Sequence, residues 1–468
     1  MKPLGRTRGV SVTLASLALI VAACGGTGSE PTTAVSDTGG ATSSAPAEGG
    51  GGAGVCDGEV SVNEIDAWAH EGAEAGAYQT MVEDFNATVG QELGLTINLT
   101  LVPEGQYTDQ LNAAAAAGDL PALLDFDGPN LANLAWSGNI VSLDGCIPDT
   151  VRDNLLPSIV AGGTYEGHLY SVGSFDSGLG LYAWGSALEE VGARIPTGPE
   201  DAWTAEETEQ ILRDLQAAGY EHPLDIKIWY GTQGEWMTYG FSPILQSAGA
   251  DLIDRDTLKA DGVLNSPEAV AALTLFQSWA TEGLIDSEAA DDTNFTSGES
   301  PLSWVGHWMF NPYTEAIEAA GDQLVLLPLP DFGEGTRTGM GSWAWAMTSV
   351  GAEIDPDAAW AFIEFAVSDG SVLAITDVNG AVPATSSALA QSANYAPGGP
   401  LNLFVKQLEG APNIAVPRPI TPGYPTVTSE FWTAMDQILL GGDVQQVLDA
   451  AAAAIDADVD ANGGYVTP

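Results

Sequence analysis

The stretch Val60–Leu101 reads VSVNEIDAWAHEGAEAGAYQTMVEDFNATVGQELGLTINLTL, and two periodicities alternate within it. Val60 to Trp68 reads as a strand. From Ala77 onward, apolar residues recur at Tyr78, Met81, Val82, Phe85 and Val89, the spacing of one helix face. Leu95 to Leu101 alternates apolar with polar residues, the period of a second strand. The Ala-rich run Tyr107–Gly118 follows as a second helix ending on glycine. Strand then helix, twice in succession, predicts an α/β lobe with a largely parallel sheet.

The same grammar continues downstream. Ser266, Pro267 and Glu268 supply an N-cap, a first-turn proline and a first-turn acid for a helix through Leu273 and Trp279 to Gly283. Leu324 to Leu329 is a continuous apolar run, which predicts a strand covered on both faces. Ala358 to Val367 is helical, and Val444, Val447, Leu448, Ala451 and Ile455 mark another amphipathic helix. No internal repeat or heptad run is present.

Upstream the chain changes character. Residues 1–23 hold Lys2, Arg6 and Arg8, then an apolar run from Val10 to Ala23, with Cys24 directly after Ala22 and Ala23. A run this short falls below the roughly 20 residues a membrane span needs, so it reads as an export signal. The string VAAC looks like a bacterial lipobox, which implies an acylated Cys24 as the mature N-terminus. Residues 24–54 are Gly, Ser, Thr, Ala and Pro with a few acids, a composition that buries no core and reads as a tether. A flexible coil of that length reaches roughly 30 Å on average.

Charge excludes one class of partner. There are 12 Lys and Arg against 63 Asp and Glu, a net charge of −51, and the export signal takes three of those cations and no acid. Nucleic acid binding needs cations to neutralise phosphates, and no basic patch exists. An anionic ligand is disfavoured. Catalytic signatures are missing too: there is no HExxH, GxSxG or Walker loop, and His70, His168, His222 and His307 are scattered. No catalytic residue, metal or cofactor is assigned. Gly339, Gly341 and Ala344 match GxGxxA but follow a loop, and read as close packing. Asp458, Asp460, Asn462 and Gly463 match half of a calcium loop, yet the chain stops at Pro468, before the bidentate glutamate; a frayed acidic helix end is expected.

The order and spacing of several stretches carry a resemblance. They are AYQTMVEDFNATVG; YTDQLNAAAAAGDLPALLDFDG followed by LAWSGNIVSLD; YEGHLYSVG; SPEAVAALTLFQSWATEGLID; WVGHWMF with LVLLPLPDFGEG; and FWTAMDQILLGGDVQQVLDAAAAAIDADV. Together they resemble the extracellular solute-binding proteins of ABC importers, especially the branch that includes maltose-binding protein. The chain departs from that pattern at Trp184, Gly185 and Ser186, where the family usually has Asn-Lys-Asp.

The resemblance implies a two-lobed periplasmic-binding-protein-like fold, with lobes joined by three hinge crossings and a ligand cleft between them. The crossings are expected near Val172–Asp176, Asp331–Thr338 and Val382–Thr385. Lobe 1 would then comprise residues 55–174 and 339–383, and lobe 2 residues 175–338 and 384–468. The partners implied are a small-molecule ligand of carbohydrate type and the permease and ATPase subunits of an importer. The protein is expected to be a monomer held to the outer face of the bacterial cytoplasmic membrane by its lipid anchor alone, and not an enzyme. Two alternatives stand beside this, a binder of a cationic solute of polyamine or betaine type and a secreted glycoside hydrolase.

Thirteen tryptophans are the informative excess. Sugar rings pack their C–H faces on aromatic rings, while their hydroxyls need acids, amides and backbone groups. Trp308, Trp432 and Tyr239 fall where the resemblance assigns aromatic ligand contacts. His70 and Glu71 follow the first strand, and Phe126 and Asp127 end the third, at the sheet edge where open α/β sheets hold ligands. Trp236, near Tyr239, and Trp343, Trp345 and Arg337, beside a crossing, are further candidates. Trp279 and Trp360, on helical apolar faces, read as core. Cys56 and Cys146 are the cysteines left after export and both lie in the first lobe, which predicts a disulfide, two buried free thiols being the alternative.

Overall fold

The computed structural model describes residues 56–465. The expected signal, Cys24 and the tether lie outside them. Strand Glu64–Glu71 is second from one edge of a five-stranded sheet, pairing in parallel with the edge strand Thr96–Pro103 on one side and with the central strand Leu123–Asp127 on the other. Beyond Leu123–Asp127 come Trp343–Met347 and then Ser171–Gly173, each pairing antiparallel with its neighbour. The sheet is therefore mixed, with one late strand inserted against the parallel set. Helix Ala75–Ala87 covers it through Tyr78, Met81, Val82 and Phe85, the predicted face. Helix Glu104–Ala117 ends at Gly118 in the left-handed conformation, φ 68°, where a side chain would be strained.

A second sheet orders Leu324–Leu327, Leu179–Trp184, Leu302–Gly306 and Leu224–Asp225. The apolar run at Leu324 is its edge strand and three of its four residues are only partly buried, contrary to the expectation of a strand covered on both faces. The covered strands are Leu179–Trp184 and Leu302–Gly306. Apolar content alone does not separate a central strand from an edge packed on one side. Helix Pro267–Thr281 begins as predicted, with Ser266 accepting from the Ala269 N–H, and Trp279 on it is fully buried.

Each sheet has its own core, so the molecule has two α/β lobes. Tyr78, Phe85, Trp345 and Phe362 centre the first, and Phe241, Phe276, Trp279 and Trp304 the second. Between them, Phe175–Asp176 pairs antiparallel with Val382–Pro383, and Thr338–Met340 pairs in parallel with Ala415–Pro417. Residues just past Pro383 stay with the first lobe, since Leu156 donates to the Ala384 carbonyl and Ser386 to that of Asn154. The predicted disulfide joins Cys56 to Cys146. Asp458 and Asp460 lie in helix Val444–Ala461, where Asp458 accepts from Tyr465 and Asp460 pairs with Lys259. Among the described residues no single helix is long and apolar enough to cross a membrane.

Candidate functional site

Two half-buried tryptophans, one from each lobe, define the candidate site. In the first lobe Trp343 opens its strand directly opposite Asp127, and its ring stacks on His70 with centroids 3.6 Å apart. The Tyr107 ring meets it edge-on at 5.6 Å. His70 is buried between two carboxylates, Nδ1 donating to Asp125 at 2.5 Å and Nε2 to Glu74 at 3.2 Å. Burial alone would lower its pKa, but the Asp125 and Glu74 charges and hydrogen bonds overcome that and raise it to about 10. An imidazolium therefore lies flat against one face of Trp343 at neutral pH, a cation-π arrangement that fixes the ring.

In the second lobe Trp308 follows strand Leu302–Gly306, and its ring folds back over the strand end. A Cβ at Gly306 would lie 2.0 Å from that ring, so the close approach requires glycine. Its indole N–H donates to the Tyr230 hydroxyl at 3.0 Å. Trp236 packs edge-on against both Tyr230 and Trp308, at 5.4 and 6.0 Å, and its own N–H donates to the Ile226 carbonyl. Trp229, 37% exposed, leans on Tyr230 at 4.5 Å and carries the aromatic row out to the surface.

The loop bearing Trp229 and Tyr230 is tied down from beneath. Lys227 is fully buried in the left-handed conformation, φ 59°, and its ammonium pairs with Asp225 at 2.5 Å and with Asp292. The Tyr313 ring lies under it at 4.9 Å.

The lobes meet at Arg418. Its guanidinium grips Asp127 of the first lobe through both nitrogens, at 2.8 and 2.7 Å, and Glu235 of the second at 2.5 Å. It also lies over the Tyr239 ring at 4.8 Å. Glu235 takes further hydrogen bonds from Tyr424 and from Thr428, the latter at 2.7 Å. Burial holds the Glu235 carboxyl above its ordinary pKa although Arg418 opposes the shift. The Tyr239 hydroxyl donates to Ser177 at 2.8 Å, and Ser177 in turn to the Gly341 carbonyl. Asn133 of the first lobe donates to the Pro422 carbonyl of the second at 2.8 Å.

The structure brings Trp308, Tyr239 and Trp236 into one aromatic group, and His70, Trp343 and Asp127 to one end of the first sheet, whereas Phe126, 1% exposed, is core packed with Tyr107 and Leu111. The remaining candidates make none of these ring contacts. Trp345 is 1% exposed and edge-packed on Tyr78 and Phe362 in the first core. Trp432 is half-buried on helix Tyr424–Leu439, packed on the second core and out of ring contact with Trp308. Glu71 is exposed at its strand end. Arg337 folds back on its own turn, donating to the Gly335 and Thr336 carbonyls.

Sequence reasoning missed Arg418, Lys227, Trp229, Tyr230 and Glu235. For the two cations a signal existed. In a chain with 12 Lys and Arg, a cation inside an apolar or prolyl run, as in AVPRPI and LDIKIW, has to find buried acids.

Comparison with known proteins supplies the wider setting. A family model described as bacterial extracellular solute-binding protein matches residues 80–398. A cyclic alpha-maltosyl-1,6-maltose binding protein from Arthrobacter globiformis superposes with TM-score 0.67 at 24% identity, over 86% of this chain and 99% of that one. The GacH receptor of Streptomyces glaucescens, solved unliganded and with acarbose, gives 0.68 at 20% identity over 85% and 97%. The Listeria monocytogenes substrate-binding protein Lmo0181, solved with cycloalternan, gives 0.71 at 17% identity over 85% and 99%. No curated protein sequence matches significantly.

Proposed function

The chain belongs to the bacterial extracellular solute-binding proteins, and from that premise we propose that it captures a neutral sugar or oligosaccharide between its lobes and delivers it to the permease of an ABC importer. One observation carries the reading. Trp343 and Trp308, half-buried in opposite lobes, are each locked in orientation by a neighbour, His70 under one and Tyr230 beside the other. Rings fixed in this way offer flat apolar faces at little entropic cost, which is what stacking on a sugar needs.

Polar groups for the hydroxyls stand close by. Asp127 is paired in register with Trp343, and the Tyr230 hydroxyl lies at the Trp308 indole N–H. The likeness to sugar-binding proteins of the same two-lobed fold supports this ligand class. Against a cationic ligand, the acids best placed to hold one, Asp127 and Glu235, are already neutralised by Arg418. A binder returns oligosaccharides uncut, where a hydrolase would shorten them. In this proposal Cys24 carries the lipid anchor, residues 24–54 span from the membrane, and the protein works as a monomer with separately encoded permease and ATPase subunits.

A thermal-shift panel tests the proposal, since ligand that binds only the folded state raises the melting temperature by mass action. Neutral oligosaccharides are expected to raise it and to survive incubation intact. A shift with polyamines or betaines alone, or cleavage of the sugars, contradicts it.

A further inference from the structure

Asp127, Glu235 and the face of Tyr239 form a cation site that straddles the two lobes. Asp127 belongs to the first lobe, paired in register with Trp343, whereas Glu235 and Tyr239 share helix Glu235–Ser247 of the second. Two carboxylates and an aromatic face converging on one point are the recognition elements for a guanidinium or ammonium ion. Here the point is filled from within the chain, by a side chain only 4% exposed. Arg418 comes from the segment after strand Ala415–Pro417, whose neighbour Thr338–Met340 leads into the strand that carries Trp343.

We propose that Arg418 is a specificity-determining and lobe-closing residue: its guanidinium occupies this interlobe cation site, excluding cationic solutes and drawing Asp127 across the cleft so that the two tryptophan platforms are held for a neutral ligand. Separating the lobes at this point breaks both bonds to Asp127 and leaves Arg418 with Glu235 alone. Removing the guanidinium leaves two facing carboxylates with no counter-charge, which oppose closure by repulsion. The site then has the shape and charge to take a free guanidinium ion. The proposal rests on the cleft being the ligand site, but its cation site can be tested without any sugar.

The experiment uses the full-length exported chain and the variant Arg418→Ala, with guanidinium chloride or methylguanidine on the order of 10 mM against matched sodium chloride. Guanidinium is expected to raise the melting temperature of Arg418→Ala above the sodium chloride control and to leave the wild type unshifted. Affinity for the neutral sugar should fall about tenfold or more in the variant and recover in part with guanidinium. A variant that responds alike to guanidinium and sodium, or that binds the sugar as the wild type does, overturns the proposal.

Should Arg418→Ala fail to fold, Asp127→Asn removes the cross-lobe charge while keeping Arg418 on Glu235. It is expected to enlarge the radius of gyration in small-angle scattering, and an unchanged radius contradicts the latch. A wild type that binds no sugar defeats the proposed function alone, because the guanidinium comparison still decides the cation site.

Discussion

Trp343 and Trp345 stand two residues apart on the same strand, and their surroundings assign them opposite jobs. Trp343 is half-buried with His70 on one face, while Trp345 is 1% exposed among Tyr78 and Phe362. Trp343→Ala should therefore weaken sugar binding by roughly 2 kcal/mol, about thirtyfold, with little change in unliganded stability. Trp345→Ala should cost about 3 to 5 kcal/mol of stability. Calorimetric affinity and melting temperature on both variants check the contrast, and equal stability losses would refute it. Trp308→Ala is expected to behave like Trp343→Ala.

His307 gives a residue-scale prediction in pH. Burial pushes its pKa down to about 4, against a hydrogen bond to the Asn379 carbonyl and the Glu74 charge, which pull it up. A depressed histidine pKa means that the unfolded chain takes the proton first. The stability this group contributes is complete above about pH 6.5 and is lost as pH falls toward 4, at no more than about 1.4 kcal/mol per pH unit. His307→Gln should flatten that part of the stability-pH curve measured by urea unfolding, and an unaltered slope would show that His307 does not titrate there.

Elements were legible where the signal was local. The Ser266 cap, the Ala77 to Phe85 helix face and the glycine stop at Gly118 depend on residues within a few positions, and each formed near its predicted place. The Leu324 run misled because edge or centre depends on which strand pairs with it, a non-local choice. Site residues divide the same way. Aromatics rare enough to notice could be nominated, but Arg418 meets Asp127 across 291 residues and no spacing reveals that.

The loop carrying Trp229 and Tyr230 is an element held by charge, so Lys227→Met should leave Asp225 and Asp292 without their buried partner and cost roughly 3 to 5 kcal/mol. Chemical denaturation measures it, and a loss under about 1 kcal/mol would rule out a pinning role. The Cys56–Cys146 bridge closes a separation of 90 residues, for which chain entropy gives about 4.6 kcal/mol as an upper figure. Reduction should lower the melting temperature without abolishing ligand binding, since both cysteines pack at the edge of the first core, away from the Trp308 group.

At the scale of the whole molecule, two lobes with separate cores share a seam that includes Arg418 with Asp127, Asn133 with Pro422, His307 with Asn379, and the edge-on ring pairs Trp136–Tyr465 and Phe175–His307. Such a seam separates more easily than a packed core, and a ligand that touches both lobes shifts the balance toward closure. In the proposed function this ligand is a neutral sugar gripped by tryptophans from both sides. Titration calorimetry of the wild type with a series of neutral oligosaccharides, beside spermidine and glycine betaine, tests it most directly. Saturable one-to-one binding of at least one oligosaccharide and of neither cation is expected; binding of a cation with no heat from any sugar rules out a neutral-sugar ligand.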